Sequence, residues 1–224
     1  MIPIQAILFD MDGVLTDTEP VINAAAVAGL REFGGNAKPD DFLPFVGTGE
    51  DRYIGGVAEL HGVRYAPEMK RRVYEIYLEI LPAMLHPVPG VQELLAALRA
   101  RRVPMAVATS ADRIKMEANL RAIHVPLDWF GALVVGEDVA RKKPAPDIYL
   151  AAAAKLGMVP AACCVIEDAV NGIVAAKAAA MRCIAVESSF PAATLAPAGP
   201  DCIRPAIAAV TLADLGCAGR RNSG

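Results

Sequence analysis

The stretch FDMDGVLTDTE at residues 9–19 decides how the rest of the chain is interpreted. It places two aspartates, Asp10 and Asp12, directly behind the apolar run Ile7-Leu8-Phe9. Successive side chains of an extended segment point to opposite sides, so these two carboxylates project the same way from the end of a strand. A carboxylate pair in that position is typical of two chemistries, calcium binding and phosphoryl transfer.

The calcium interpretation rests on a local match to an EF-hand loop. Four residues fall on ligand or turn positions of such a loop: Asp10, Asp12, Gly13 and Glu19. The same alignment puts Leu8 where the first acidic ligand belongs, and it puts a β-like run where a helix should precede the loop. The sequence therefore argues against an EF-hand.

The composition narrows the class of protein. The length of 224 residues suits one large domain or a domain that carries a smaller insert, and 54% apolar with 21% charged residues indicates a soluble globular chain. The net charge of −3 predicts neither nucleic-acid nor membrane binding. The N-terminal residues do not resemble a signal peptide, and no apolar run reaches membrane-spanning length, so neither a leader nor a membrane span is expected. A monomer or weak dimer is expected.

The cysteines indicate the compartment. They are odd in number and lack the spacing of a metal site, which predicts reduced, structural thiols and a cytoplasmic protein. They are Cys163, Cys164, Cys183, Cys202 and Cys217.

From Val88 onward, short β-like runs alternate with helical patterns, which predicts a parallel α/β sheet. The predicted strands are nearly all apolar, as expected of strands covered by helices on both faces. They span residues 4–9, 103–108, 132–135, 163–166 and 183–186.

The segment after the first strand breaks this alternation, since it shows no convincing strand. It predicts a helical lid, with Pro82 and the HPVPG stretch at 86–90 as the return hinge. Its predicted helices lie around residues 21–33, 49–61 and 67–81.

Polar residues follow each of the first four predicted strands. They are Asp10 and Asp12, Thr109 and Ser110, the loop RKKPAPD at 141–147, and Glu167 and Asp168. Because ligands of parallel sheets gather beyond the carboxyl ends of the strands, these acids, hydroxyls and a lysine should meet at one edge. Their convergence favours phosphoryl chemistry. The chain has no P-loop motif, and Gly47-Thr48-Gly49 lacks the third glycine and the preceding strand of a dinucleotide loop.

Four segments, FDMDG, ATS, KPAPD and VIEDAVNGI, resemble in order and spacing the motifs of the haloacid dehalogenase superfamily of phosphatases and phosphomutases. The resemblance implies an α/β fold, with a Rossmann-like parallel-sheet core over 1–15 and 86–224 and an inserted α-helical cap over 16–85. That cap resembles the branch of β-phosphoglucomutases and phosphoglycolate phosphatases. The segments FVGTGE, GGVA, ADRIK and MRCIAV look like the corresponding domain of a plant thylakoid photoprotection protein, a likeness that supplies no substrate.

The resemblance also implies a role for each motif residue. Asp10 would attack phosphorus and form an aspartyl-phosphate, while Asp12 would act as general acid and base. Lys143, selected over Lys142 by the Lys-Pro-x-Pro spacing, would spread positive charge over the transferring oxygens. The phosphate would be bound by Thr109 and Ser110, through hydroxyl and backbone N–H at a helix start, with Gly13.

A divalent metal is implied as well, because a carboxylate that attacks a phosphate dianion meets like-charge repulsion. Hard oxygen ligands suit Mg²⁺. The expected ligands are the side chain of Asp10, the backbone carbonyl of Asp12, and Glu167 with Asp168.

The expected substrate is a small phosphorylated metabolite, and a phosphatase is favoured over a mutase. Where β-phosphoglucomutases carry a histidine after the acid/base aspartate, this chain has Ile22. Where they carry a cap arginine, it has Glu50, with Arg52 close enough for a shifted alignment. A non-catalytic metal- or ligand-binding module is a third interpretation, disfavoured because both Asp10 and Asp12 are present.

Overall fold

The structure is a computed structural model that describes residues 2–46 and 49–216. It contains two compact units. One unit runs through Asp17 and resumes at Pro87, and the other spans Thr18–His86. The sequence analysis placed the two joints at 15/16 and 85/86.

The helices and strands follow one another in an order typical of a parallel sheet with a helical insert. They are β1 (Ala6–Phe9), α1 (Glu19–Glu32), α2 (Glu50–Leu60), α3 (Pro67–Met84), α4 (Val91–Ala100), β2 (Met105–Ala108), α5 (Arg113–Ala122), β3 (Ala132–Val134), α6 (Asp147–Lys155), β4 (Cys163–Glu167), α7 (Val170–Ala178), β5 (Arg182–Val186), α8 (Ala192–Leu195) and β6 (Cys202–Arg204).

The first unit is built on a six-stranded sheet in the order β3-β2-β1-β4-β5-β6, and all of its paired strands are parallel. The strands β1, β2 and β4 are buried at every residue, as expected of apolar strands covered by helices on both faces, and the buried residue Glu167 at the end of β4 is the exception in polarity. The predicted parallel α/β fold is confirmed. The edge strand β6 was not predicted, because its three residues, Cys202–Arg204, are only partly buried and include an arginine.

The strand order places the polar residues beside one another. The sheet order reverses between β1 and β4, and parallel sheets bind their ligands beyond the carboxyl ends of the strands at such a reversal. Phe9 is paired with Ile166. The backbone N–H of Asp10 donates to the Ile166 carbonyl at 3.1 Å, so the next positions along the two strands, Asp10 and Glu167, lie side by side.

The second unit consists of α1, α2 and α3 with a 3₁₀ segment, Pro39–Phe45. The helices α1 and α3 pack together. Arg72 and Glu32 form a bidentate ion pair, with Nε donating to Oε2 at 2.7 Å and Nη2 donating to Oε1 at 3.0 Å. Pro82 lies inside α3, so the prediction that it forms part of the return hinge is wrong. The helix continues for two residues beyond Pro82.

Across residues 2–46 and 49–216, every helix falls short of the length or the apolarity that crossing a bilayer requires.

The centre of the sheet should contribute more stability than its edge. Truncation of Leu8 to Ala in β1 leaves a cavity that buried neighbours cannot fill, so we expect a loss of about 2–5 kcal/mol in the free energy of unfolding. Ile203→Ala, in the partly buried edge strand, serves as the matched control and should cost clearly less. Urea unfolding followed by circular dichroism measures both, and equal losses would contradict the prediction.

Candidate active site

A buried lysine joins the acids that follow β1 and β4. Nζ of Lys143 lies 2.6 Å from Oδ1 of Asp10 and 2.6 Å from Oε1 of Glu167. All three side chains are at most 11% exposed. Lys143 lies 133 positions from Asp10 and 24 positions from Glu167 in the chain. The structure therefore brings together three predicted residues that are distant in sequence.

Glu167 is held by donors on two sides. Oε1 accepts from the hydroxyl of Tyr149 at 2.8 Å, and Oε2 accepts from the backbone N–H groups of Asp168 and Ala169 at 2.9 and 3.0 Å. Gly172, in the first turn of α7, leaves room for this carboxylate, since a Cβ there would overlap its Oε1 and Cδ. The orientation of Glu167 is thus set by the start of α7 as well as by β4.

Asp168 is positioned by a different pair of neighbours. Its Oδ2 accepts a hydrogen bond from the hydroxyl of Ser189, which follows β5. Gly13 has a φ of +77°, and a Cβ at that position would overlap Oδ2 of Asp168 and lie 2.9 Å from Oγ of Ser189. Gly13 therefore permits both the left-handed turn after Asp12 and the approach of Asp168.

Asp10, Glu167 and Asp168 form an acidic cluster whose ligand oxygens lie within 4.8 Å of one another. Lys143 contacts two of these three buried carboxylates, so the cluster carries an excess of negative charge whenever all three are ionised. Burial is the main cause that raises the pKa of Asp10 to about 7; Lys143 opposes the rise, while Glu167 and Asp12 add to it. Burial and the charges of Glu167 and Asp10 raise the pKa of Asp168 as well.

The donor set fits a hard divalent cation. Three carboxylates at one buried point, with too little positive charge to balance them, are the arrangement that Mg²⁺ would complete. Lys143 stays charged in this setting: burial alone would lower its pKa, but Asp10 and Glu167 raise the pKa above its usual value.

The predicted phosphate-binding residues lie after β2. Thr109 is buried, and its hydroxyl accepts from the backbone N–H of Ala111 at 3.1 Å. The N–H of Thr109 donates to Val134 at 3.0 Å, so the expected backbone contact to phosphate cannot come from this residue. The helix α5 begins at Arg113, and Ser110, which is half-buried, precedes it.

Glu50 and Arg52 belong to the helical unit. Glu50 is the first residue of α2. The guanidinium of Arg52 pairs with Glu59 at 3.0 Å and lies 5.1 Å from the centre of the Phe45 ring. Arg52 is therefore engaged by neighbours of its own unit.

Of the cysteines, Cys163, Cys164, Cys183 and Cys202 are free thiols, whereas Cys217 falls outside the described residues, as do Gly47 and Thr48. Burial raises the pKa of the Cys163 thiol to about 11. This thiol is thus a poor nucleophile at neutral pH.

Three contact residues were missed by the sequence analysis: Tyr149, Ser189 and Lys115. Ser189 carries a signal in the sequence, since it follows the fifth predicted strand in the same way as the polar residues that follow the first four. Tyr149 gives no such signal, because a tyrosine on an apolar helix face is usually part of the core. Lys115, whose Nζ lies 3.4 Å from Oδ1 of Asp12, sits in a helix beyond the motif.

Comparison with known proteins agrees with this geometry. Residues 4–180 match the family of haloacid dehalogenase-like hydrolases. The chain is 32% identical over 179 residues to the phosphorylated carbohydrates phosphatase of Thermotoga maritima, which covers 80% of this chain and 82% of that protein. The solved structure of a CbbY mutant from Rhodobacter sphaeroides, in complex with xylulose-(1,5)-bisphosphate, has a TM-score of 0.82 at 28% identity and covers 95% of this chain and 99% of that one.

The fold and the site thus define a hydrolase whose acidic centre lies at the carboxyl ends of the central strands of a parallel sheet. The chain belongs to the haloacid dehalogenase-like hydrolases and is an enzyme of that family. It is also 44% identical over 216 residues to SUPPRESSOR OF QUENCHING 1 of the Arabidopsis thaliana chloroplast, which covers 95% of this chain. The chain spans only 20% of the length of that plant protein.

The lack of a side chain at Gly172 should be necessary for the acidic centre. In Gly172→Ala, the added methyl group must displace Glu167, so we expect Mg²⁺ affinity to fall by at least about tenfold while cooperative unfolding is kept. Isothermal titration calorimetry measures the affinity. Val174→Ala, at a 38% exposed position of the same helix, is the control, and an unchanged affinity in Gly172→Ala would refute the close fit.

Metal binding should stabilise the protein in a pH-dependent way. Because the pKa of Asp10 is raised to about 7, the metal-free fold favours the protonated carboxyl and loses stability as the pH rises from about 4 through about 7. Mg²⁺ needs the ionised form. We therefore expect Mg²⁺ to raise the Tm more at about pH 8 than at about pH 5, in scanning calorimetry against KCl of equal ionic strength. Equal shifts at the two pH values would contradict this.

Proposed function

We propose that this enzyme is a Mg²⁺-dependent phosphatase of a small phosphorylated carbohydrate and that it acts through an aspartyl-phosphate on Asp10. The observation that carries the proposal is the buried bridge from Lys143 to Asp10 and Glu167, beside Asp168. The substrate class is supported by the names of the relatives, a phosphatase of phosphorylated carbohydrates and a CbbY protein that binds a sugar bisphosphate.

Asp10 is the proposed nucleophile. Its Oδ1 is fixed by Lys143 at 2.6 Å, so the other oxygen, Oδ2, is the candidate for attack on phosphorus. The ammonium of Lys143 lowers the repulsion between this carboxylate and an incoming phosphate. Mg²⁺, held by Asp10, Glu167, Asp168 and the carbonyl of Asp12, would add charge neutralisation and polarise a phosphate oxygen.

Asp12 is the proposed general acid and base. Its side chain is 36% exposed, whereas that of Asp10 is 11% exposed. Asp12 can therefore contact a leaving group that faces solvent. As the new bond from Asp10 to phosphorus forms and the bond to the leaving oxygen breaks, Asp12 gives that oxygen its proton. It then takes a proton from the water that hydrolyses the aspartyl-phosphate.

The transferring phosphate would be bound by residues after β2. The hydroxyls of Thr109 and Ser110 would donate to its oxygens, while Gly13, which lacks a side chain, lets Asp168 approach the acidic centre. Since the N–H of Thr109 is already used by Val134, the hydroxyl is the part of Thr109 available to the phosphate.

A phosphosugar mutase is the second candidate, favoured by the fold that it shares with this branch of the family. A mutase must hold its bisphosphate intermediate while it turns over. Ile22 is buried and apolar at the place of the expected histidine, and Glu50 carries a negative charge at the place of the expected cap arginine. These two residues favour hydrolysis. We further propose a cytoplasmic location, consistent with the reduced cysteines.

One assay separates the candidates. A panel of sugar phosphates that includes xylulose 1,5-bisphosphate is incubated with and without Mg²⁺, and phosphate release and isomer formation are recorded together. Free phosphate that requires Mg²⁺ supports the phosphatase. Isomer without net phosphate supports the mutase, and silence across the panel supports a binding module.

Replacement of Asp10 by Asn tests the nucleophile. Without the carboxylate no aspartyl-phosphate can form, so we expect kcat to fall by at least about 10⁴-fold with an unchanged circular dichroism spectrum. Asp128→Asn, at an exposed position of the same unit, should keep full activity. Substantial turnover in the Asp10→Asn enzyme would refute the assigned role.

A further inference from the structure

Two buried polar side chains of α5 are not accounted for by the motifs. Lys115 is 5% exposed and Asn119 is fully buried. A lysine is rarely buried unless its charge has a partner, because removal of an ammonium from water is costly. Both residues therefore need a reason for their position inside the protein.

The two side chains contact the same short segment, Asp10-Met11-Asp12. Positions four apart lie on one face of a helix, so Lys115 and Asn119 point together from α5. Nζ of Lys115 lies 3.4 Å from Oδ1 and 3.5 Å from Oδ2 of Asp12, while Nδ2 of Asn119 donates to Sδ of Met11 at 3.4 Å. The helix thus contacts two consecutive residues of the sequence Asp10-Met11-Asp12.

The pair between Lys115 and Asp12 is asymmetric in burial. The side chain of Lys115 is 7% exposed, whereas that of Asp12 is 36% exposed. The ammonium therefore lies on the inner side of the carboxylate, and the outer side of the carboxylate remains accessible. Surface ion pairs are weak because both partners are solvated, but here the lysine has been withdrawn from water.

Each aspartate of the FDMDG motif consequently forms an ion pair with a different lysine. Asp10 contacts Lys143, which comes from the loop after β3, and Asp12 contacts Lys115, which comes from the helix after β2. The almost equal distances to Oδ1 and Oδ2 place the ammonium across the carboxylate rather than on one oxygen. A side chain held in this way is restrained in rotation about its terminal bond.

We infer that Lys115 is a positioning residue that orients the carboxyl group of Asp12 toward the leaving oxygen of the substrate. This inference rests on the proposed function, since it assumes that Asp12 transfers the proton. In the step concerned, the bond from Asp10 to phosphorus forms and the bond to the leaving oxygen breaks. The electron pair stays on that oxygen, which takes the proton of Asp12, and Lys115 is unchanged.

The inference is tested with two substrates whose leaving groups differ in their requirement for a proton from Asp12. A sugar phosphate leaves as a poor, basic alkoxide and requires the acid, whereas p-nitrophenyl phosphate leaves as a stabilised phenolate and does not. The parameter kcat/KM reports the steps up to release of the leaving group, so the later hydrolysis does not mask the effect. We compare Lys115→Met with the wild-type enzyme on both substrates, using the best sugar phosphate of the panel.

We expect Lys115→Met to lower kcat/KM at least about tenfold for the sugar phosphate and less than about twofold for p-nitrophenyl phosphate. Lys115→Arg, which keeps the charge, should recover much of the sugar phosphate activity. Lys155→Met, which removes an exposed lysine paired with Asp138 at 3.3 Å, should leave both values unchanged. Lys115→Gln is measured in parallel, so that the ratio is obtained even where the methionine variant does not fold.

Equal losses on the two substrates in a folded variant would overturn the inference and leave the proposed function standing, because they would mark Lys115 as structural or as part of phosphate binding. Unchanged activity on both would overturn it in the same way. A wild-type enzyme that turns over neither substrate would overturn the proposed function, and the inference with it.

Discussion

The site depends on one ammonium group placed between two buried carboxylates. Lys143 bridges Asp10 and Glu167 at 2.6 Å from each, and Asp168 adds a third acid within ligand distance. Without Lys143, three negative charges would share a region from which water is largely excluded, and their repulsion would protonate or displace them. The remaining negative charge explains why the cluster suits a divalent cation. The same ammonium serves the fold and the proposed chemistry.

The sheet makes this arrangement possible. The neighbouring strands β1 and β4 pair in register up to Phe9 and Ile166, so the acids that follow them meet where the strand order reverses. Backbone groups complete the site, since the N–H groups at the start of α7 hold Glu167. Gly13 and Gly172 contribute by lacking a side chain where a Cβ would overlap an acid. Small residues are thus as necessary to the centre as charged ones.

The two units of the chain carry different kinds of residue. The core carries every residue that the proposed chemistry uses, and the family match covers most of it. The helical unit carries Ile22, Glu50 and Arg52, the positions at which the sequence predicts a departure from the β-phosphoglucomutases. The plant relative is 44% identical but about five times longer, so the role of that whole protein does not transfer to this chain.

The sequence by itself determined the parallel sheet, the helical insert and the residues that follow the first four strands. These depend on local patterns, namely apolar runs, helical periodicity and polar residues at strand ends, which are readable in a short window. The tertiary structure alone decided that Tyr149 supports Glu167, that Ser189 contacts Asp168 and that Lys115 pairs with Asp12. Such contacts join residues far apart in the chain, and they depend on the direction of each side chain after packing. No local pattern contains that direction, because it is set by the neighbours that the fold supplies.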